Sequence, residues 1–181
     1  MILRLAGLDD TARLGRLLAE AVQEAMAERR PDAGFALLLQ GELGCGKTTL
    51  ASSFVRALPG GAEAEVSSPS FTLCNVYPTH PQVFHVDLYR AGPSPLPGEA
   101  CEALDGGCGG CGDGEGAVLV LEWPEYLLPE DQPADALRIA FDKQGDACEK
   151  ARMLKLEAHG PCAARVLAGL GAALAPASVP N

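Results

Sequence analysis

Apolar residues change their rhythm several times along this chain, and each change predicts an element. Ile2 to Leu5 suits a short strand. After Asp9-Asp10-Thr11, whose side chains suit capping, Leu14, Leu17, Leu18, Ala21, Val22 and Ala25 fall at three- and four-residue spacing and predict a helix from about Thr11 to Glu28. Arg13, Arg16, Glu20 and Glu24 lie elsewhere on that cylinder and read as its solvated face. Beyond Pro31 and Gly34 the rhythm is lost: Phe35 to Gln40 is a nearly continuous apolar run, the mark of a strand buried on both faces. Leu50, Phe54 and Leu58 return to helical spacing until Pro59-Gly60-Gly61 stops it.

Further on, a Ser/Pro-rich turn leads into a strand through Tyr77. Val83-Phe84-His85-Val86 runs into Asp87, and Ala117-Val118-Leu119-Val120-Leu121 runs into Glu122. Leu137, Ile139 and Phe141 alternate with Arg138 and Ala140, and Leu154, Leu156 and Ala158 alternate with Met153, Lys155 and Glu157. These are two half-buried strands, joined by the polar Asp142 to Lys150 in what reads as a long hairpin at one sheet edge. Gly160-Pro161 opens a last helix carrying Ala163, Val166, Leu167, Leu170 and Leu174 on one side, and the tail from about 175 is expected to fray.

The junction after the continuous apolar run carries the strongest chemistry. Gly41-Glu42-Leu43-Gly44-Cys45-Gly46-Lys47-Thr48-Thr49 follows the G-x-x-x-x-G-K-[ST] pattern of a phosphate-binding loop, with the required strand before it and helix after it. Glycines at 41, 44 and 46 permit backbone conformations that let amide N–H groups close round a polyphosphate at the positive end of a helix. Lys47 adds a point charge at the β and γ phosphates, and the Thr48 hydroxyl is placed to serve Mg²⁺. The fold class that follows is α/β: a P-loop NTPase-like three-layer fold with a mainly parallel central sheet and antiparallel strands added at an edge.

Two acids stand where such a fold needs them. Asp87 and Glu122 each end an apolar strand, and ligands of open α/β sheets lie beyond the carboxyl ends of the strands. One acid suits the metal and the other suits the attacking water; spacing does not say which does which. Singly, each also suits a turn cap or an ion pair with Arg90. In Val66-Ser67-Ser68-Pro69-Ser70-Phe71-Thr72-Leu73, Ser70 and Thr72 are candidates for a switch segment that senses the γ phosphate, beside the plainer reading of a Ser/Pro turn entering a strand. His85 reads as a satisfied strand side chain. Trp123, the one tryptophan, follows Glu122 directly and should sit close to a nucleotide.

Composition narrows the partners. With 181 residues the chain suits one domain, 1–181. A net charge of -10 argues against direct, broad contact with nucleic acid, so any nucleic acid is expected only through partners. No signal-peptide core or membrane span is evident, which points to a cytoplasmic protein. Seven dispersed cysteines do not form a secreted disulfide framework. Residues 91–116 are rich in Gly, Cys and Pro and read as a mobile surface loop; Cys101, Cys108 and Cys111 within it fall one ligand short of a tetrahedral zinc site.

Four separated stretches together resemble the TsaE family: Gly41 to Thr49, Ser68-Pro69-Ser70-Phe71-Thr72-Leu73, His85-Val86-Asp87-Leu88-Tyr89-Arg90 and Leu121-Glu122-Trp123-Pro124-Glu125. The resemblance spans the chain from the first helix to the paired late strands. It implies a bacterial P-loop ATPase that binds ATP with Mg²⁺ and supports TsaB and TsaD, the proteins that form threonylcarbamoyladenosine in tRNA. It further implies that Lys47 and Thr48 serve phosphate and metal, Glu122 the metal, Asp87 catalysis, and Trp123 and Thr49 the nucleotide. Ser70 stands in the switch-like segment.

Cys45 departs from the small residue usual in that loop and brings a thiol open to alkylation or oxidation. The 91–116 stretch is longer than the family's, which bears on partner contacts there. Two other functions compete with a slow ATPase: a nucleotide-gated binding module without catalysis of its own, and a small-molecule kinase, against which stands the want of an Arg-rich lid. No N-K-x-D guanine-reading sequence occurs.

Overall fold

A computed structural model describes residues 1–27, 34–104, 116–142 and 151–175. Its spine is a seven-stranded sheet built from β1 (Ile2–Leu5), β2 (Phe35–Gln40), β3 (Cys74–Tyr77), β4 (Val83–Asp87), β5 (Val118–Glu122), β6 (Ala136–Asp142) and β7 (Arg152–His159). Their order across the sheet is β1-β7-β6-β2-β5-β4-β3. The four central strands run parallel, as the unbroken apolar runs predict: β2 pairs with β5 and β6, and β4 pairs with β5. Antiparallel strands flank this centre on both sides rather than one, β7 and β1 beyond β6 and β3 beyond β4. The β6–β7 pair is therefore not an edge hairpin. Ile2 to Leu5 pairs along β7 and covers it, a long-range pairing that no local pattern announces.

Among the described residues four α-helices complete the layers: α1 (Leu8–Ala27), α2 (Lys47–Ala57), α3 (Gly98–Leu104) and α4 (Pro161–Leu174). Because strand side chains alternate between faces, each apolar strand feeds two cores. Leu37, Leu39, Val118 and Val120 pack beneath α1, α2 and α4, against Leu18, Val22, Phe54 and Val166. Ala36, Leu38, Leu119 and Leu121 face the other way, toward Leu88, Leu96, Ala100 and Leu127. Burying each large aliphatic or aromatic side chain contributes roughly 1.5–3 kcal/mol, which makes these two apolar layers the main source of stability. Helices α1 and α2 approach closely at Gly15, where a Cβ would lie 2.5 Å from the Ser53 Cβ.

Helix α3 departs from the irregular chain expected over 91–116. Leu96, Ala100 and Leu104 recur every four residues among the glycines and prolines; the first two are buried and the third packs against the same core. The segment is also tied by its backbone, Gly34 N donating to the Leu104 carbonyl at 3.2 Å and Leu96 N to Asp131 Oδ2 at 3.2 Å. Residues 105–115, with Cys108 and Cys111, lie outside the described residues, as do the middle of the late hairpin and the tail from 176. Among the described residues no helix is long and apolar enough to cross a membrane.

Register sets the height of the functional groups. Asp87 lies opposite Glu122 across β4 and β5, and Glu122 lies opposite Leu39, one residue before the end of β2. Both acids and the glycine loop thus emerge side by side at the carboxyl end of the parallel strands.

Candidate functional site

Between β2 and α2 the loop turns on three glycines with positive φ, Gly41 at 149°, Gly44 at 74° and Gly46 at 111°. At Gly41 the conformational demand is joined by a steric one, because a Cβ would meet Cys45 Sγ and Phe141 Cβ, each at 2.9 Å. Lys47, the first residue of α2, is 4% exposed. Its Nζ folds back over the loop, donating to the carbonyls of Gly41 at 2.7 Å and Glu42 at 3.0 Å, and lies 4.0 Å from the centre of the Trp123 ring.

Next to it, the Thr48 hydroxyl donates to Glu122 Oε1 at 2.8 Å, and the same oxygen is 3.0 Å from His85 Nε2. Glu122 is 2% exposed and Asp87 3%. Asp87 is held at both oxygens. Ser68 and Ser70 hydroxyls donate to Oδ2 at 2.6 and 2.7 Å, and the Tyr89 N–H donates to Oδ1 at 2.9 Å. Arg90 is no partner of this carboxylate: its guanidinium lies 4.2 Å over the Phe71 ring.

These groups open onto one cleft of about 380 Å³, lined by Gly44, Gly46, Lys47, Thr48, Thr49, Ser68, Ser70, Asp87, Glu122 and Trp123, with Leu43 and Tyr89 at its rim. Trp123 takes a left-handed backbone, φ 63° and ψ 51°, uncommon for a side chain of its size. Its N–H is bound to the Leu39 carbonyl at 3.2 Å, and its ring packs on Tyr89 and Tyr126 with centroids 4.8 and 6.1 Å away. The turn directs the ring over Lys47.

Most of the residues singled out from the sequence meet at this cleft. Of the two switch candidates, Ser70 reaches Asp87, while Thr72 bonds Asn75 Oδ1 at 2.9 Å in an exposed position. Gly41 and Glu42 lie on the far flank of the loop and offer their carbonyls to Lys47. Cys45 corrects the expectation of a reactive thiol: it is buried beneath the loop, and burial pushes its thiol up from the ordinary range, the nearby Lys47 charge opposing this only in part. Sequence reasoning passed over Ser68, and it read His85 as a strand side chain without placing it against Glu122. The period-two rule carries the second signal, since His85 stands two residues before Asp87 and so shares its face of the sheet.

A parallel sheet that delivers a G-x-x-x-x-G-K-T loop to a helix, with two buried carboxylates at the neighbouring strand ends, defines a P-loop α/β protein. Residues 5–153 match the family described as "Threonylcarbamoyl adenosine biosynthesis protein TsaE", and the chain belongs to that family, which acts in tRNA threonylcarbamoyladenosine biosynthesis. Relatives described as "tRNA threonylcarbamoyladenosine biosynthesis protein TsaE" include one from Treponema pallidum, 32% identical over 74% of this chain and 87% of its own length. Another, from Streptomyces coelicolor, is 31% identical over 81% of this chain and 89% of its own. A crystal structure of YdiB from Bacillus subtilis superposes with a TM-score of 0.65 at 24% identity, covering 96% of this chain and 95% of that one, a likeness of fold.

Proposed function

We propose that this chain binds ATP with Mg²⁺ at the Gly41–Thr49 loop and hydrolyses it, and that turnover supports TsaB and TsaD as they form threonylcarbamoyladenosine in tRNA. The observation that carries the reading is the meeting of Lys47, Thr48, Asp87 and Glu122 in one cleft beside a glycine loop.

The residues fit the groups they would hold. Gly44 faces open space, with nothing within 4 Å of a Cβ position, so phosphate oxygens can approach the loop backbone. Amide N–H groups at the start of α2 favour anions. Lys47 exchanges two neutral carbonyl acceptors of the loop for anionic phosphate oxygens, which its charge attracts more strongly. Thr48 gives its single hydroxyl proton to Glu122, which leaves its oxygen lone pairs for a cation. A hydroxyl and a carboxylate are hard oxygen donors, and Mg²⁺ commonly takes one or two such protein ligands together with substrate phosphates. Bound there, the ion neutralises phosphate charge.

Asp87 supplies the remaining chemistry. Two serine hydroxyls and one N–H fix its carboxylate, and its remaining lone pairs accept a hydrogen bond from the attacking water and orient it. Because Ser68 and Ser70 belong to the segment that precedes β3, any displacement of that segment re-aims Asp87. The chain's net charge of -10 supports leaving tRNA contact to the partner proteins.

A reconstituted system containing TsaB, TsaD and substrate tRNA tests the proposal. Lys47→Ala and Glu122→Gln are each expected to abolish ATP hydrolysis and tRNA modification together. Modification retained by both variants would sink the proposal, and repeated rounds with a non-hydrolysable ATP analogue would show that binding suffices.

A further inference from the structure

His85 has no role in the reading above, yet it is completely buried, on a sheet face it shares with Val83 and Val118. A polar ring in such a place is costly unless it is hydrogen-bonded. Its Nε2 meets Glu122 Oε1 at 3.0 Å, while its Nδ1 has no partner among the described residues. A carboxylate offers only acceptors, so the proton on this bond belongs to the ring and Nε2 is the donor. Oε1 thereby receives two hydrogen bonds, one from Thr48 on α2 and one from His85 on β4.

We infer that His85 is a positioning residue for the metal side of the site: its Nε2–H clamps Oε1 of Glu122 from behind, which fixes the carboxylate plane and leaves Oε2 for the cation or its water. The inference rests on the reading of Thr48 and Glu122 as the Mg²⁺ side. Strand register makes the clamp possible, because Asp87 is the direct neighbour of Glu122 and His85, two residues earlier on the same face, reaches it diagonally. The Thr48 bond alone allows Glu122 to swing about Oε1; the second donor removes that freedom. Such outer bonds orient the groups that hold metal, and their loss typically costs 10–100-fold in metal affinity.

Two substitutions separate the bond from bulk and polarity. In His85→Gln the longer side chain places an amide N–H near the position of Nε2, whereas in His85→Asn the amide stops short of Glu122. Mg²⁺ is titrated at fixed ATP with Trp123 fluorescence and calorimetry as readouts, and thermal melting is followed in parallel. The expected result is a Mg²⁺ midpoint raised about tenfold in His85→Asn and within about threefold of wild type in His85→Gln, with metal-free ATP affinity unchanged in both. The Asn effect is expected to vanish in a Glu122→Gln background, since His85 acts through that carboxylate. Equal behaviour of the two variants, retained or lost, overturns the role. If His85→Asn folds too poorly to titrate, His85→Gln decides alone: a kept Mg²⁺ response supports the clamp and a lost one overturns it. A wild-type protein whose ATP binding ignores Mg²⁺ overturns the metal-side reading and the inference together, while a Mg²⁺-responsive wild type with an unaffected Asn variant overturns the inference only.

Discussion

Lys47 Nζ lies 4.0 Å from the centre of the Trp123 ring while donating to two carbonyls of its own loop, at 2.7 and 3.0 Å. The ammonium is a compact charge that rotates between such partners. Arginine presents a planar fork on a longer reach and does not fit the same pocket of carbonyls and ring face. Lys47→Arg is therefore expected to keep the net charge yet weaken ATP binding about tenfold or more, as read by calorimetry.

Asp87 makes a different demand, because the role proposed for it needs both carboxylate oxygens as acceptors, and both are held in place. Asp87→Asn replaces one acceptor with a donor, which conflicts with the serine hydroxyls or the Tyr89 N–H. Turnover measured by phosphate release is expected to fall about 100-fold or more, with ATP affinity within about threefold. Ser68→Ala or Ser70→Ala alone leaves Oδ2 one donor and costs only a few-fold, roughly. The double variant is expected to lose more than the product of the single losses, since the two hydroxyls share one oxygen.

Two thiols, Cys45 buried and Cys74 half-buried, set a pH dependence. Cys74 is pushed up to about 11, first by burial and then by the charge of Glu99, and burial raises Cys45 as well. The folded protein thus holds these protons more tightly than the unfolded chain. The contribution of Cys74 to stability is complete below the ordinary thiol value of 9.0 and is lost as pH rises through about 11, and that of Cys45 is lost in the same direction. Urea unfolding at rising alkaline pH is expected to show this decline, and Cys74→Ser to lessen it. At neutral pH, alkylation of Cys45 is expected to be slow in the native protein and fast once urea unfolds it.

Asp135 anchors the last helix. It is buried just before β6, and its two oxygens accept from Cys162 N at 3.0 Å and Ala163 N at 2.8 Å, in the first turn of α4. Gly160 makes room for it, since a Cβ there would lie 2.7 Å from the Asp135 carboxyl carbon. Asp135→Ala leaves two buried N–H groups without this acceptor and is expected to cost about 2 kcal/mol in chemical denaturation.

Much of this architecture is legible along the chain because its signals are local. Phe35 to Gln40 shows a strand covered on both faces, the glycine loop follows it directly, and Asp87 and Glu122 end their strands where an α/β sheet collects its ligands. What local pattern does not carry is the meeting of distant segments. Ile2 to Leu5 gives no sign that it will cover β7, and Ser68 gives none that it will reach Asp87 nineteen residues on. Helix α3 escapes notice because Ala100 and Leu104 within it, and Leu96 just before it, are diluted by glycine and proline. Cys45 looks reactive beside a lysine until burial is known, and His85 looks inert until its diagonal partner on β5 is known to be Glu122.

The central claim, that the Gly41–Thr49 loop holds ATP, meets its most direct test in the fluorescence of Trp123, the chain's one tryptophan, whose ring lies over Lys47. Titration with ATP is expected to give a saturable change that tightens with Mg²⁺ and disappears in Lys47→Ala. A wild-type protein that shows neither a fluorescence change nor heat of binding with ATP, with or without Mg²⁺, contradicts it.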